Sequence, residues 1–166
     1  MSQFDFGHVE TKFPSFNQYK SFIWIWNADK IPPHIGFSVG EHYMSLTYKK
    51  VESALVQSMV RKIKRTKIPV VFVELNDEYS VDEMKQVMSG FDKASLKATC
   101  LAPVKRLLKG DSTIKKLADL LHYLSNDKRI EAFYGVNLPL NYQFLPNYTL
   151  DDIFLRISEL SSENSH

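Results

Sequence analysis

Two residues of this chain have the chemistry of a nucleophile and of a base. Cys100 lies in "KATCLAPVKRLLKG", at the predicted start of a helix. Thr99 stands where it could cap that helix, and Pro103 is tolerated because it falls near the N-terminus. Amide groups at a helix start lack intrahelical acceptors and favour negative charge, so a thiol there is expected to ionise more readily than usual. The same amides would receive the oxyanion of an acyl intermediate. His34 opens "HIGFSV", directly after Pro32 and Pro33. An imidazole beside the thiol would complete a nucleophile-base pair.

Positioning the imidazole falls to a predicted hairpin. "HIGFSV" and "HYMSLTYKK" both alternate, and Gly40-Glu41 between them suits a two-residue Gly-X turn. That turn sets His34 opposite Thr47, Gly36 opposite Ser45 and Ser38 opposite Tyr43, all on one face. Ile35, Phe37 and Val39 take the reverse face with Met44, Leu46 and Tyr48. Gly36 leaves space beside the ring, and glycine in a strand often marks close approach of another group. Something is expected to pack or bind there, and the question is whether it is the head of the Cys100 helix. Thr47 is the expected neighbour of the imidazole, with Ser45 next to it.

The remaining elements follow from periodicity. "SFIWIW" (21–26) and "PVVFVEL" (69–75) read as buried strands, the second a central one. Val51, Ala54, Leu55, Met59 and Ile63 mark one face of a helix over 51–66. "SVDE" at 80–83 is a capping-box start for a helix to about 91. Gly110 is placed to close the Cys100 helix. Further helices are expected over 112–125 and in "TLDDIFLRISEL", the latter capped by Thr149. Residues 126–148, rich in Tyr, Asn and Pro, read as a long irregular connection. Strands followed by helices, without strict alternation, point to an α+β fold: a small antiparallel sheet packed against several helices.

This order of features resembles the circularly permuted papain-like thiol hydrolases: the YiiX-like proteins, the lecithin:retinol acyltransferase relatives and, more distantly, the NlpC-type peptidases. The matching stretches are "HIGFSVGEHYMSL" and "VVFVELNDEYSVDEMKQVMSGF…TCLAPVKRLL", about 31–109. The resemblance implies a cysteine hydrolase or acyltransferase acting on an amide or ester bond, with Cys100 as nucleophile and His34 as base. Its substrate would be a peptide, an isopeptide or a lipid ester. It also implies a third polar residue on the neighbouring strand, here Thr47 or Ser45. A hydroxyl orients a ring but stabilises imidazolium less than a carboxylate does. That departure supports an alternative: a catalytically inactive domain of the same fold that binds a partner or small ligand.

Composition narrows the rest. The chain has 166 residues and a net charge of +2, so one domain over 1–166 is expected, with 161–166 as a frayed tail and no whole-molecule field toward nucleic acid or anionic lipid. A single cysteine excludes an internal disulfide, and the scattered histidines, His42 and His122 among them, lack carboxylates at ligand spacing, so no metal or cofactor is expected. The basic cluster Arg61, Lys62, Lys64, Arg65 and Lys67 reads as a solvated helix end; an RNA- or phosphate-binding module is the lesser reading. Trp24 and Trp26 read as core. No membrane span and no secretory signal are evident, so a cytoplasmic location is expected.

Overall fold

The computed structural model describes residues 3–163. Six strands form one antiparallel sheet: β1 (Ser21–Trp26), β2 (His34–Val39), β3 (His42–Leu46), β4 (Val51–Leu55), β5 (Val70–Leu75) and β6 (Ile130–Val136), in the spatial order β4-β3-β2-β1-β5-β6. Five helices join it: α1 (Val56–Thr66), α2 (Val81–Met88), α3 (Leu101–Leu107), α4 (Leu117–Asn126) and α5 (Leu150–Glu163). The fold class is α+β, as the element pattern predicts. No helix among the described residues is long and apolar enough to cross a membrane.

The sheet is covered on both faces. Ile35, Phe37 and Val39 of β2 and Val71 and Val73 of β5 face a core closed by α2, α3 and α4. The opposite face carries Phe22, Trp24, Trp26, Tyr43 and Phe72, packed against Val56, Met59 and Ile63 of α1. β1 and β5 lie in the middle of the sheet and are buried along their whole length. This explains their largely apolar sequences, in which Ser21 and Glu74 are the polar residues: strands covered on both faces have no solvent side to make polar.

The β2–β3 hairpin has the register predicted for it. Gly36 pairs with Ser45, Ser38 with Tyr43 and Val39 with His42 around a turn in which Gly40 adopts φ +56°, the left-handed conformation that glycine supplies without strain.

Two expectations fail for non-local reasons. Residues 51–55 are not helical: they form β4 and pair with β3 from Leu46↔Val51 to His42↔Leu55. Thr47 closes the intervening turn, its hydroxyl accepting the Lys49 and Lys50 amides and donating to the Lys50 carbonyl. Pairing to the free edge of β3 outweighs the modest helix propensity of "VESAL". The helix begins at Val56, so its buried face is Val56, Met59 and Ile63. Residues 126–148 are not wholly irregular: Ile130–Val136 forms edge strand β6 on β5.

Helix boundaries shift for local reasons. α2 has the expected capping box, Ser80 accepting the Glu83 amide and Glu83 the Ser80 amide. α4 starts at Leu117 rather than 112, because Asp119 accepts the Lys115 and Lys116 amides and fixes the helix start there. Thr149 accepts the Asp152 amide at the head of α5. That helix runs through 161–163 of the expected tail; residues 164–166 lie outside the described residues.

The space beside Gly36 is filled by Tyr43, not by the Cys100 helix. A Cβ at position 36 would stand on the Tyr43 hydroxyl and 2.5 Å from two of its ring carbons. Tyr43 is fully buried, so its ring has nowhere to move. Gly36→Ala should therefore cost about 1–3 kcal/mol, the usual penalty of overpacking, read as a lower midpoint of denaturant unfolding. A midpoint equal to the wild type would show that Tyr43 does not occupy that space.

Candidate active site

The site forms where β3 leaves the side of β2. On one side β2 stays paired with β1 down to Trp26↔His34. On the other, its pairing with β3 starts only at Gly36↔Ser45, so the first residues of β2 lack a strand neighbour there. The loop before α3 lies against the end of β3, with the Ala94 amide donating to the Thr47 carbonyl at 2.7 Å. A cavity of about 330 Å³ opens at this corner, and His34 and Cys100 both line it.

Cys100 is the N-cap residue of α3, and its own backbone is α-helical. Thr99 does not cap the helix with its side chain; its carbonyl accepts the Ala102 amide in a preceding turn. At the far end Lys109 takes the left-handed conformation and the Gly110 amide donates to the Lys105 carbonyl, so Lys109 rather than Gly110 makes the closing bend.

The thiol does meet backbone amides, those of Ile35, Cys100 and Leu101. They draw its pKa down, but burial outweighs them and pushes the thiol up to about 11. The sequence argument foresees a lowered pKa, and the structure reverses the direction. A seven-residue helix has a small dipole, and removing a thiolate from water costs more than three amides return.

The His34 ring bonds Ser45, with Nε2 3.1 Å from the Ser45 Oγ. Thr47, the expected neighbour, lines the same cavity but spends its hydroxyl on the β3–β4 turn. Burial, and then the positive charge of Lys62 on α1, lower the His34 pKa to about 4. Thiol and imidazole are thus both uncharged at neutral pH, and no hydrogen bond joins them.

Behind Ser45 stands a set of groups that sequence reasoning does not assemble. The Trp26 Nε1–H donates to the Tyr43 hydroxyl at 2.8 Å. Tyr43 is in turn within electrostatic reach of Cys100. The alternation does put Tyr43 on the His34 face; that its ring would lie across Gly36 toward Ser45 depends on which diagonal neighbour fills the gap. The Trp24 indole makes a parallel bond, donating to the Ser38 hydroxyl at 2.8 Å. Both tryptophans are buried as expected, and Trp26 also borders the cavity.

α5 borders the cavity with Ile153, Ile157 and Leu160, one helical stripe at a spacing of four and three residues, and with Arg156. Of the basic cluster on α1, Lys62 reaches the cavity with its ammonium 5.8 Å from the Trp26 ring, and Lys64 lies over Phe13 at 5.4 Å. Among the described residues no group of three or more His, Cys, Asp or Glu could hold a metal ion. Comparison with protein-family models, curated proteins and solved structures finds no match for the chain.

The His34 environment has a measurable consequence. Its folded pKa, about 4, lies below the ordinary 6.5, so the unfolded chain takes up this proton first. The contribution of His34 to stability is complete above about pH 6.5 and is lost as pH falls toward 4. His34→Gln, which cannot take the charge, should flatten the fall in unfolding free energy across that window. Parallel curves for the variant and the wild type would show that the ring is not held neutral.

Proposed function

We propose that the cavity is an acyl-transfer site of the permuted papain-like kind, in which Cys100 attacks the carbonyl carbon of an amide or ester. The observation that carries this reading is that Cys100 and His34, remote in sequence, line one cavity. The amides of Ile35 and Leu101 beside the sulfur support it, because donors in that position would also reach the oxygen of a tetrahedral intermediate.

Because both groups are neutral, the chemistry is concerted rather than that of a pre-formed ion pair. As the sulfur–carbon bond forms, the thiol proton passes to His34 and the carbonyl electrons move onto oxygen. The intermediate collapses by breaking the bond to the leaving amine or alcohol, which takes the proton from His34. Water or an acceptor alcohol or amine then attacks the thioester and restores the thiol. Ser45 holds the ring through Nε2. Peptides, isopeptides and lipid esters all present the required carbonyl.

A second reading has its own support. The thiol is held protonated and has no bond to the imidazole, which suits a domain that binds a partner or small ligand in the cavity without chemistry.

A panel of p-nitrophenyl esters separates the two. Acyl transfer predicts a burst of nitrophenolate that disappears in Cys100→Ala, and acylation slower by about 10²- to 10⁴-fold in His34→Gln. A burst that survives Cys100→Ala, or a wild type indistinguishable from that variant, would remove the catalytic reading and leave the binding one.

A further inference from the structure

The net charge of +2 conceals how unevenly the cations of this chain are placed. Between Glu52 and Glu74 there is no acidic residue, and Arg61, Lys62, Lys64, Arg65 and Lys67 all fall in that stretch. These five exceed the net charge, so the rest of the chain is acidic on balance. All five are exposed, and none forms an ion pair with a described residue.

α1 turns them outward. Its buried face is Val56, Met59 and Ile63. Arg61 and Arg65 stand two residues before and after Ile63 and so point away from the sheet, and Lys64 joins their side, three residues after Arg61. Lys62 and Lys64 lie along the protein, 5.8 Å over the Trp26 ring and 5.4 Å over the Phe13 ring. Arg61 and Arg65, four residues apart, repel each other and weaken the helix. A surface serving solubility alone intersperses the two signs. The single sign of this face is a strain on the helix that a polyanion would relieve.

The groups beside α1 distinguish one polyanion from another. The β1–β2 loop is tied to the end of α1 by the Ala28 amide, which donates to the Pro69 carbonyl at 3.2 Å. That loop exposes Lys30 and, to 51%, Ile31. An aliphatic side chain held in water next to cations suits acyl chains lying under phosphate headgroups. Single-stranded nucleic acid is held instead by exposed rings on which its bases stack. The rings of Trp24, Trp26, Tyr43 and Phe72, on the face that α1 packs against, are buried. The acidic residues of these segments, Asp29 and Glu52, are half-buried rather than exposed.

We propose that the outward face of α1, together with Lys30 and Ile31, docks on the surface of an anionic bilayer. α1 itself does not insert, because its apolar face is already taken by the sheet. Charge supplies the attraction, and Ile31 the apolar contact. Lys62 belongs both to this cluster and to the lining of the cavity, so docking sets the cavity of His34 and Cys100 beside the bilayer. Any consequence for acyl transfer rests on the proposed function above; the docking does not.

Flotation of the full chain with large unilamellar vesicles, at a physiological ionic strength of about 0.15 M, tests the docking. The chain should bind vesicles containing phosphatidylserine, ignore vesicles of phosphatidylcholine alone, and be released as salt rises. Combining Arg61→Gln, Lys64→Gln and Arg65→Gln should lower the partition coefficient by about 10²-fold. Ile31→Ser should weaken binding and leave its salt dependence unchanged. A wild type left behind by the phosphatidylserine vesicles overturns the proposal. So does a folded triple variant, or Ile31→Ser, that floats like the wild type; where the triple variant does not fold, the two vesicle compositions decide. A chain that binds poly(U) and ignores the vesicles also overturns it, and makes the face a nucleic-acid surface. Vesicle binding with no ester burst leaves the docking standing without the enzyme. A burst with no vesicle binding does the reverse.

Discussion

The hydroxyl of Tyr43 lies against the backbone of Gly36, in a place no side chain at position 36 would permit. Much of the corner depends on that approach. With the ring so placed, Trp26 finds an acceptor for an indole proton that is otherwise buried without one. On the same face Ser45 bonds the His34 ring at Nε2 and orients it. The Tyr43 ring fills the face between β3 and α1, where Trp24 and Trp26 stack with their centroids 5.7 Å apart. Polar groups in this interior are tolerable because they find hydrogen-bond partners in one another, Trp26 with Tyr43 and Ser45 with His34. If one link is missing the cost falls on a group shut away from water.

Cys100 shows the opposite balance. Three backbone amides favour its thiolate, and it remains a thiol because burial weighs more than they do. Hydrogen bonding and desolvation act on the same atom with opposite signs, and desolvation wins. His34, which lines the same cavity, is kept neutral chiefly by burial as well, with Lys62 adding to it. Both halves of the pair are therefore quiet for one physical reason, and displacement of α5 or arrival of a polar substrate would act on both together.

How much of this is legible in the chain depends on whether the deciding force is local. The hairpin is legible from Gly36↔Ser45 to the turn, register included, because alternation has a period of two and Gly40 marks the turn; the expected His34–Thr47 pair does not form. The α2 cap is legible because Ser80 and Glu83 are three residues apart. β4 and β6 are not: "VESAL" and "IEAFYGV" become strands because β3 and β5 offer open edges, which neither segment encodes. In the site, the face shared by His34, Gly36, Tyr43 and Ser45 is legible, and so is the meeting of His34 with Cys100 at one cavity. The choice of Ser45 over Thr47 is not, because it turns on Thr47 being used by a turn absent from the predicted helix. The sign of the Cys100 shift is not either, since it depends on burial in a cavity lined in part by α5, far along the chain.

The central claim is that a carbonyl carbon can reach Cys100 with its oxygen among the Ile35 and Leu101 amides. A crystal structure of the protein treated with a peptide aldehyde tests it most directly. The account predicts a hemithioacetal on Cys100, its oxygen within hydrogen-bond distance of those two amides and the His34 ring still bonded to Ser45. Density showing an unmodified Cys100, with the aldehyde on a surface lysine or absent, would contradict it.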